Sequence, residues 1–512
     1  MPALYRSSSI RDAESRELDR LPSLTLMDRA ASALADTCTH VLRGMPRGAP
    51  VIALIGPGNN GGDALLAALK LRDIGFDAQA LMLTHQAPSA PDARTVWDQA
   101  QSRQLPLLPE LTSHSLRGAL FIDGLFGVGL SRPIEGRGAG WIRMLNASGA
   151  RVMAADLPSG IDADTGAIVG GAGACAILAQ HTVTFLADKP GLRTGAGRAH
   201  AGQVHVAKLG VEVTPSAGTL VTQAEATALA APLARRSDSH KGTHGHAAVV
   251  GGGAGMQGAA VLAALGAQRA GAGKVSVGSP MGLKLNPGVH PQLMTLPDRW
   301  LPEQFQAVVM GCGLGQSKRA LAALKSVLGR TRSPIVIDAD ALNLLAANPA
   351  LVAVLTHRVT PSVLTPHPLE AARLLGCTTA DVQADRIAAA TTLAARMGSV
   401  VVLKGAGTVC ADAAGHWAII DSGSPALATA ATGDVLAGVI GGLLAQGLTP
   451  AAAALLGAWI HGRAGEIAAV RQGGDIGMPT SELPVRVSEV LNQLLTAPDA
   501  HARVSPTGQD FD

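Results

Sequence analysis

Aromatic side chains make up only 2% of the 512 residues, with a single tyrosine. Single-stranded nucleic acid is gripped largely by stacking on such rings, so no nucleic-acid partner is expected. Charge is equally sparse. Lys and Arg number 41 against 38 Asp and Glu, a formal net of +3, which offers no field for a polyanion. The five cysteines, Cys38, Cys175, Cys312, Cys377 and Cys410, are scattered, odd in number and never spaced C-x-x-C. They predict free buried thiols in a reducing compartment rather than a disulfide framework. No basic stretch followed by an apolar run opens the chain, so no signal peptide is expected. The longest uncharged stretch, 435–460, is long enough for a membrane span. The segment QGLTP at 446–450 interrupts it and predicts two buried helices joined by a turn. The expectation is a cytoplasmic protein that uses no membrane.

What is present is apolar mass and glycine. Hydrophobic residues reach 47% and glycines number 61, enough for packed layers and many tight turns. The length is too great for one core and fits two domains of ordinary size. In the first half, residues 10–42 carry helical apolar spacing (Leu24, Met27, Leu34, Val41) with a start signal at Ser23. A buried strand at 51–55 (VIALI) runs into GPGNNGGD at 56–63 and then an apolar helix over 64–72. Strand, glycine loop and helix in that order form a phosphate-binding context. An ordinary nicotinamide dehydrogenase fails a second test, because the strand at 79–83 ends in Thr84 and His85 where a ribose-binding acid is wanted.

Further strands are read at 119–123, 152–156, 181–185 and 203–206, several delivering polar loops at their C-terminal ends. Four motifs then occur in order: GNNGGD (58–63), DGLFGVGLSRP (123–133), DLPSGIDADTG (156–166) and TVTFLADKPG (182–191). Together they resemble the NAD(P)H-hydrate epimerase domain over about 10–212. The resemblance implies that Asn59, Asn60, Gly61, Gly62 and Asp63 hold the hydrated dinucleotide. Gly127, Val128, Gly129, Leu130, Ser131, Arg132 and Pro133 would share that task, with Asp156 at the reacting end. It also implies that Asn60, Asp123 and Ser159 supply oxygens to a potassium ion, hard ligands suited to such a cation. Inverting a hydroxylated ring carbon beside nitrogen needs reversible proton movement, and Asp156 and Lys189 are the titratable candidates. A surface lysine before a Pro-Gly turn is the plainer reading of Lys189. One departure is Ala64, where the family usually has Gly.

The character changes over 213–239, and a domain boundary is placed at 218/219. The histidines of 240–246 lack Cys or carboxylate neighbours and read as a turn entering a strand. Beyond it, apolar strands alternate with helices again: 247–250, 274–277, 307–310, 334–338, 363–365, 400–403, then a hairpin over 409–420. That pattern predicts a second α/β layered domain. Everything in this half is arranged around TAATGDVLAG (429–438), a small-residue loop opening a helix. Its free N–H groups and positive dipole end suit phosphate oxygens. Asp434, a like charge at that spot, suggests a base serving a substrate hydroxyl. A simple helix cap is the plainer alternative.

The motifs DADALN (338–343), LTPHPLE (364–370), LKGAGT (403–408) and ATGDVLAG (431–438) resemble the ADP-dependent NAD(P)H-hydrate dehydratase domain, a ribokinase-like fold, over about 225–495. The resemblance places the nucleotide on Lys404, Gly405, Ala406, Gly407, Thr408 and Gly433. It places the hydrated cofactor against Ala259, Gly315, His367 and Asp434. Mg2+ in this half is admitted as well. Ala431 and Ala426 stand where the family usually has glycine.

The expected architecture is therefore α/β throughout: a Rossmann-like three-layer domain over 1–218, a ribokinase-like domain over 219–496, and a tail over 497–512. The expected activity is bifunctional repair: interconversion of R and S NAD(P)H hydrate, then dehydration of the S form with ADP. A homo-oligomer is the expected assembly. The rival from another class is a ribokinase-like small-molecule kinase, for hydroxymethylpyrimidine or thiazole, fused to a ligand-binding module.

Overall fold

The computed structural model describes all residues except 85, 113–114, 216–217, 283–288, 298–299 and 497–512. His85 and the tail read from sequence thus lie outside the described residues. The chain divides into two compact units, Ala3–Gly218 and Met1–Pro2 with Thr219–Asp512.

The first unit is a six-stranded parallel sheet in the order Ala78–Met82, Val51–Ile55, Leu120–Gly124, Arg151–Ala155, His181–Phe185, Gln203–Ala207. Every residue of Val51–Ile55 is buried, because alternate side chains serve opposite cores. Val51, Ala53 and Ile55 pack with the helices Thr25–Leu42 and Asn59–Asp73. Ile52 and Leu54 pack on the other face with Trp141, Ile142 and Leu145 of the helix Gly136–Ser148. Each buried Val, Leu or Ile among them contributes about 1.5–3 kcal/mol.

Two local expectations are corrected. The helix read over 10–42 is two helices, Ser7–Leu18 and Thr25–Leu42. Leu24 turns the chain with φ +67°, and Ser23 donates to Asp92 Oδ1 instead of capping. The glycine loop is not a loop preceding a helix at 64. GNNGGD is wound into the first turn of the helix Asn59–Asp73, with Gly58 as its N-cap. Gly61 makes that close winding possible, since a Cβ there would lie 2.3 Å from the Gly56 carbonyl oxygen.

In the second unit the strands run in the order Gly218–Val221, Trp417–Ile420, Val409–Ala411, Val400–Leu403, Val363–Leu364, Ile335–Ile337, Ala307–Met310, His246–Val250, Lys274–Gly278, Met294–Thr295. Pairing is parallel from Val400–Leu403 through Met294–Thr295 and antiparallel across the hairpin. The uncharged stretch forms two helices, Thr432–Ala445 and Pro450–Gln472, as the QGLTP break predicts. The first of these lies against Gln257–Arg269 at backbone distance. A Cβ on Gly438 would sit 1.9 Å from the Ala263 carbonyl oxygen, one on Gly442 2.3 Å from that of Ala267, and one on Gly266 2.5 Å from that of Val435.

All five cysteines are free, but Cys377 is exposed and Cys175 half-buried, so only Cys38, Cys312 and Cys410 meet the expectation of burial. No single helix among the described residues is long and apolar enough to cross a membrane.

Candidate active sites

The first crevice lies at the C-terminal ends of the first sheet, a cavity of about 690 Å³. Asn59, Asn60 and Asp63 reach it from the helix Asn59–Asp73, residues 127–132 from the loop after Leu120–Gly124, and Asp156 and Lys189 from the next two strands. Gly61 and Gly62 sit behind this wall, Gly62 against Met27 and Ala93, while Pro133 packs on Gly170.

Asp123 is fully buried beneath the crevice. Its carboxylate accepts from Ser159 N (2.7 Å), Ser159 Oγ (2.7 Å) and Leu125 N (3.2 Å). Burial pushes this carboxyl up to about 6, against the pull of the Ser159 hydrogen bonds. Asn60 lies close by, its backbone oxygen over Gly124 and its side chain beside Gly127. Its Nδ2 is buried without a hydrogen-bond partner. Asn60, Asp123 and Ser159 therefore converge on one region.

Asp156 follows the strand Arg151–Ala155 rather than ending it, and its φ of +65° turns the carboxylate back into the site. Oδ1 accepts from Lys189 Nζ (2.7 Å), Phe185 N (3.0 Å) and Thr184 Oγ1 (3.3 Å). Lys189 is only 1% exposed, which overturns its reading as a surface lysine. Its ammonium donates to Asp156 Oδ1, Thr184 Oγ1 (2.8 Å) and Phe185 O (3.0 Å), using all three protons. Asp63 is held well above the usual carboxylate range by burial, with Asp156, Glu14 and Asp92 adding repulsion. Glu14 also lines the cavity, and sequence reasoning missed it. A signal existed: Ile10 and Ala13 mark the buried stripe of the helix Ser7–Leu18, and Glu14 is a carboxylate on that stripe.

In the second unit, the helix Thr432–Ala445 begins at the C-terminal ends of the parallel strands. Thr432 Oγ1 donates to Leu427 O (2.9 Å). The buried ring of His461 donates from Nε2 to Thr432 O (2.9 Å), and burial pulls that ring down to about 4, so it is neutral. Asp434 stands in the first turn. Burial and then the Asp338 charge raise its carboxyl to about 6, which leaves it mostly ionised at neutral pH. Donor atoms of Cys312, Asp338 and Asp434 lie within 4.8 Å of one another. Lys404 joins them through Asp338 Oδ1 (2.8 Å), with Glu370 Oε2 at 4.0 Å. A Cβ on Gly433 would lie 3.2 Å from Lys404 Nζ, so helix tip and lysine are neighbours.

The loop 404–408 is braced from behind by a residue that sequence reasoning also missed. Arg386, 1% exposed, donates from one terminal nitrogen to Leu403 O (3.1 Å) and Lys404 O (3.2 Å). Gly315 N donates to Asp340 Oδ2 (2.7 Å), and Ala259 lies beside Gly313 in the same glycine turn. His367 caps the helix Pro368–Leu375. Its Nδ1 accepts from Leu369 N (3.1 Å) and Glu370 N (3.4 Å), and Nε2 is 3.3 Å from Glu370 Oε1. Burial, then Lys404, pulls the ring below its ordinary value. A neutral, committed ring suits orienting work, not proton transfer.

Of the two alanines at expected glycine positions, only Ala431 occupies the left-handed region, with φ +69°. Ala426 sits in the turn Pro425–Leu427 at ordinary angles. An alanine in the left-handed region costs about 1–2 kcal/mol, partly offset by the flexibility glycine brings to the unfolded chain. Ala431→Gly is therefore expected to stabilise the second unit by about 0.5–1 kcal/mol, read from denaturant midpoints at unchanged slope.

Two α/β units, each gathering buried carboxylates, a lysine and glycine turns at its strand ends, define an enzyme with two centres for small-molecule chemistry. Residues 23–191 match the family model described as YjeF-related protein N-terminus, and residues 247–486 that described as NAD(P)H-hydrate dehydratase. The bifunctional NAD(P)H-hydrate repair enzyme of Moorella thermoacetica is 36% identical over 94% of this chain and 96% of its own. That of Escherichia coli is 36% identical over 95% and 93%. A solved ADP/ATP-dependent NAD(P)H-hydrate dehydratase from Bacillus subtilis, co-crystallised with ATP and Mg2+, is 31% identical with a TM-score of 0.48, covering 54% of this chain and 98% of its own. The chain belongs to the family of bifunctional NAD(P)H-hydrate repair enzymes, and the kinase alternative is set aside.

Proposed function

We propose that the first crevice binds the hydrated nicotinamide dinucleotide and exchanges its R and S forms, and that the second dehydrates the S form with ADP, yielding NAD(P)H, AMP and phosphate. The observation that carries this reading is Asp434, an ionised carboxylate raised to about 6 at a helix N-terminus beside Lys404. Asp434 takes the proton from the ring hydroxyl while that oxygen attacks the terminal phosphorus of ADP. The helix tip at Gly433 and the Lys404 ammonium stabilise charge on the transferring phosphoryl group. AMP departs as the new phosphorus–oxygen bond forms. Phosphate then leaves with the carbon–oxygen bonding pair, the neighbouring ring carbon releases a proton to water, and the ring double bond is restored. The loop 404–408 holds the nucleotide, and Ala259, Gly315 and His367 shape the place of the ring.

In the first crevice, Asn59, Asn60, Asp63 and residues 127–132 hold the dinucleotide, with Gly61, Gly62 and Pro133 shaping the same wall from behind and the helix N-terminus at Asn59 favouring its phosphates. Asp156 and Lys189 move the proton at the ring hydroxyl. Asn60, Asp123 and Ser159 suit K+. The donors are hard oxygens, and Asp123 is a buried carboxylate with no ion pair among the described residues. When bound, the ion supplies positive charge that offsets Asp123. Mg2+ in the second unit would travel with the nucleotide. The cluster of Cys312, Asp338 and Asp434 is a poor resident cage, since one donor is a soft thiol and Asp338 already pairs with Lys404. Free thiols suit a cytoplasmic protein, and a homo-oligomer belongs to the same reading.

The test supplies purified R and S hydrates, each with ADP or ATP, and follows the near-ultraviolet absorbance of reduced nicotinamide. S hydrate should clear with ADP. R hydrate should clear faster than it epimerises alone, and faster in K+ than in Na+. No clearance of S hydrate with ADP would overturn the assignment of the second crevice.

A further inference from the structure

The helix Ser7–Leu18 is latched onto the first crevice. Ser7 donates from its backbone N and its Oγ to the two Asp164 carboxylate oxygens, each at 2.7 Å. Just before it, Tyr5 N donates to Asp188 O (2.9 Å). Asp164 belongs to the loop that Asp156 opens, and Asp188 immediately precedes Lys189. The helix is thus fastened to both segments that carry the expected acid–base pair. Through this latch, Ile10, Arg11 and Glu14 form part of the wall of the cavity that Asp156 and Lys189 also line.

Glu14 is half-buried there. Among the described residues its carboxyl makes no hydrogen bond or ion pair with the protein, whereas Asp156 Oδ1 and the Lys189 ammonium are engaged with each other and with the strand end, which leaves Asp156 Oδ2 as the open acceptor of that pair. A carboxyl that faces a cavity and has no structural partner is free to serve a ligand. The match to the family model begins after it, at residue 23.

We propose that Glu14 is the second acid–base group of the first site, exchanging a proton with the ring hydroxyl of the bound hydrate. The proposal rests on the reading of this crevice as the epimerising one. In the forward step the Glu14 carboxylic acid gives its proton to the hydroxyl. The carbon–oxygen bond breaks, its electron pair leaves with water, and the lone pair of the ring nitrogen forms a carbon–nitrogen double bond. Water then adds to the opposite face, the nitrogen recovers its lone pair, and the released proton goes to Asp156. That proton returns to Glu14 through cavity water, so no proton, electron or oxygen is gained or lost.

The surroundings support the protonated form that the first step needs. Burial and then the Asp156 charge hold the Glu14 carboxyl above its ordinary value, against the pull of Lys189. Asp63 faces it from the helix Asn59–Asp73, and Arg11 shares its helix face. Glu14 has no backbone duty to keep it from turning over.

Glu14→Gln keeps the shape and removes the proton. The full-length variant should lose about 100-fold in kcat for R hydrate with KM changed by less than about threefold. Glu14→Asp should recover part of that loss. In the wild type, R turnover should fall as pH rises through the Glu14 ionisation, and this limb should vanish in the Gln variant. ADP-driven clearance of S hydrate in the same preparation gauges the amount of folded protein. Retention of R turnover in Glu14→Gln to within about threefold, or a loss confined to KM, would overturn the proposal. If Asp156→Asn still stalls in that case, Glu14 alone is misassigned. If both variants clear R hydrate normally, the epimerase reading of the crevice falls with it.

Discussion

Asp434→Asn is expected to abolish ADP-driven dehydration of S hydrate, with kcat down by about 10²–10⁴ and the protein still folded. The helix tip can hold a phosphate without this side chain, so nucleotide binding should survive. What is lost is the acceptor for the hydroxyl proton. The nearby groups cannot replace it. Asp338 is 2% exposed and tied to Lys404, and Cys312 is buried with a thiol that burial holds far above its ordinary value. The same assignment fixes a pH profile. Asp434 must be ionised to act, and its carboxyl is raised to about 6. The wild-type S-hydrate rate should be level above that pH and fall about tenfold per unit below it. An Asn variant with normal turnover, or a wild-type profile flat down to the ordinary carboxylate range, would remove Asp434 from the mechanism.

Asp156→Asn is expected to stall R hydrate at its spontaneous rate of epimerisation while S hydrate still clears. It carries a second signature. Lys189 is 1% exposed and Asp156 is its only carboxylate partner among the described residues. Removing that charge leaves a buried ammonium facing neutral acceptors only, Thr184 Oγ1, Phe185 O and the new amide oxygen. Breaking one side of a buried ion pair costs about 3–5 kcal/mol. The first unit should therefore unfold at clearly lower denaturant while the transition of the second stays in place. R hydrate clearing as in the wild type would contradict the role of Asp156, and an unmoved transition would contradict the ion pair.

Much of this site was legible before the structure because its chemistry sits where a local pattern changes. Val51–Ile55 reads as a strand since both its faces are apolar, and the glycines after it announce a turn. Asp434 stands out because small residues lead up to it and an apolar helix follows. The misses have a common physical form. Leu24, Asp156 and Ala431 take left-handed angles that their side chains do not advertise, so the break between the first two helices and the re-aimed Asp156 carboxylate were invisible. Arg386 and Lys189 are long charged side chains buried against partners distant in sequence, Arg386 against the Leu403 and Lys404 carbonyls and Lys189 against the Asp156 carboxylate. Composition places such residues at the surface. Glu14 belongs with them in part: the stripe of Ile10 and Ala13 marks its face as buried, but the fastenings at Asp164 and Asp188 that bring the helix to the crevice are set by the fold.

The glycine contacts between Thr432–Ala445 and Gln257–Arg269 bear on how the second centre works. With backbone resting on backbone at Gly438, Gly442 and Gly266, neither helix has side-chain padding along which to slide or roll. Asp434 therefore stands on a fixed post, and whatever closes around a substrate must come from the loops that meet it. A single methyl wedged into that seam, more than a turn away from the chemistry, would tilt the post and misaim the base without touching either reactant.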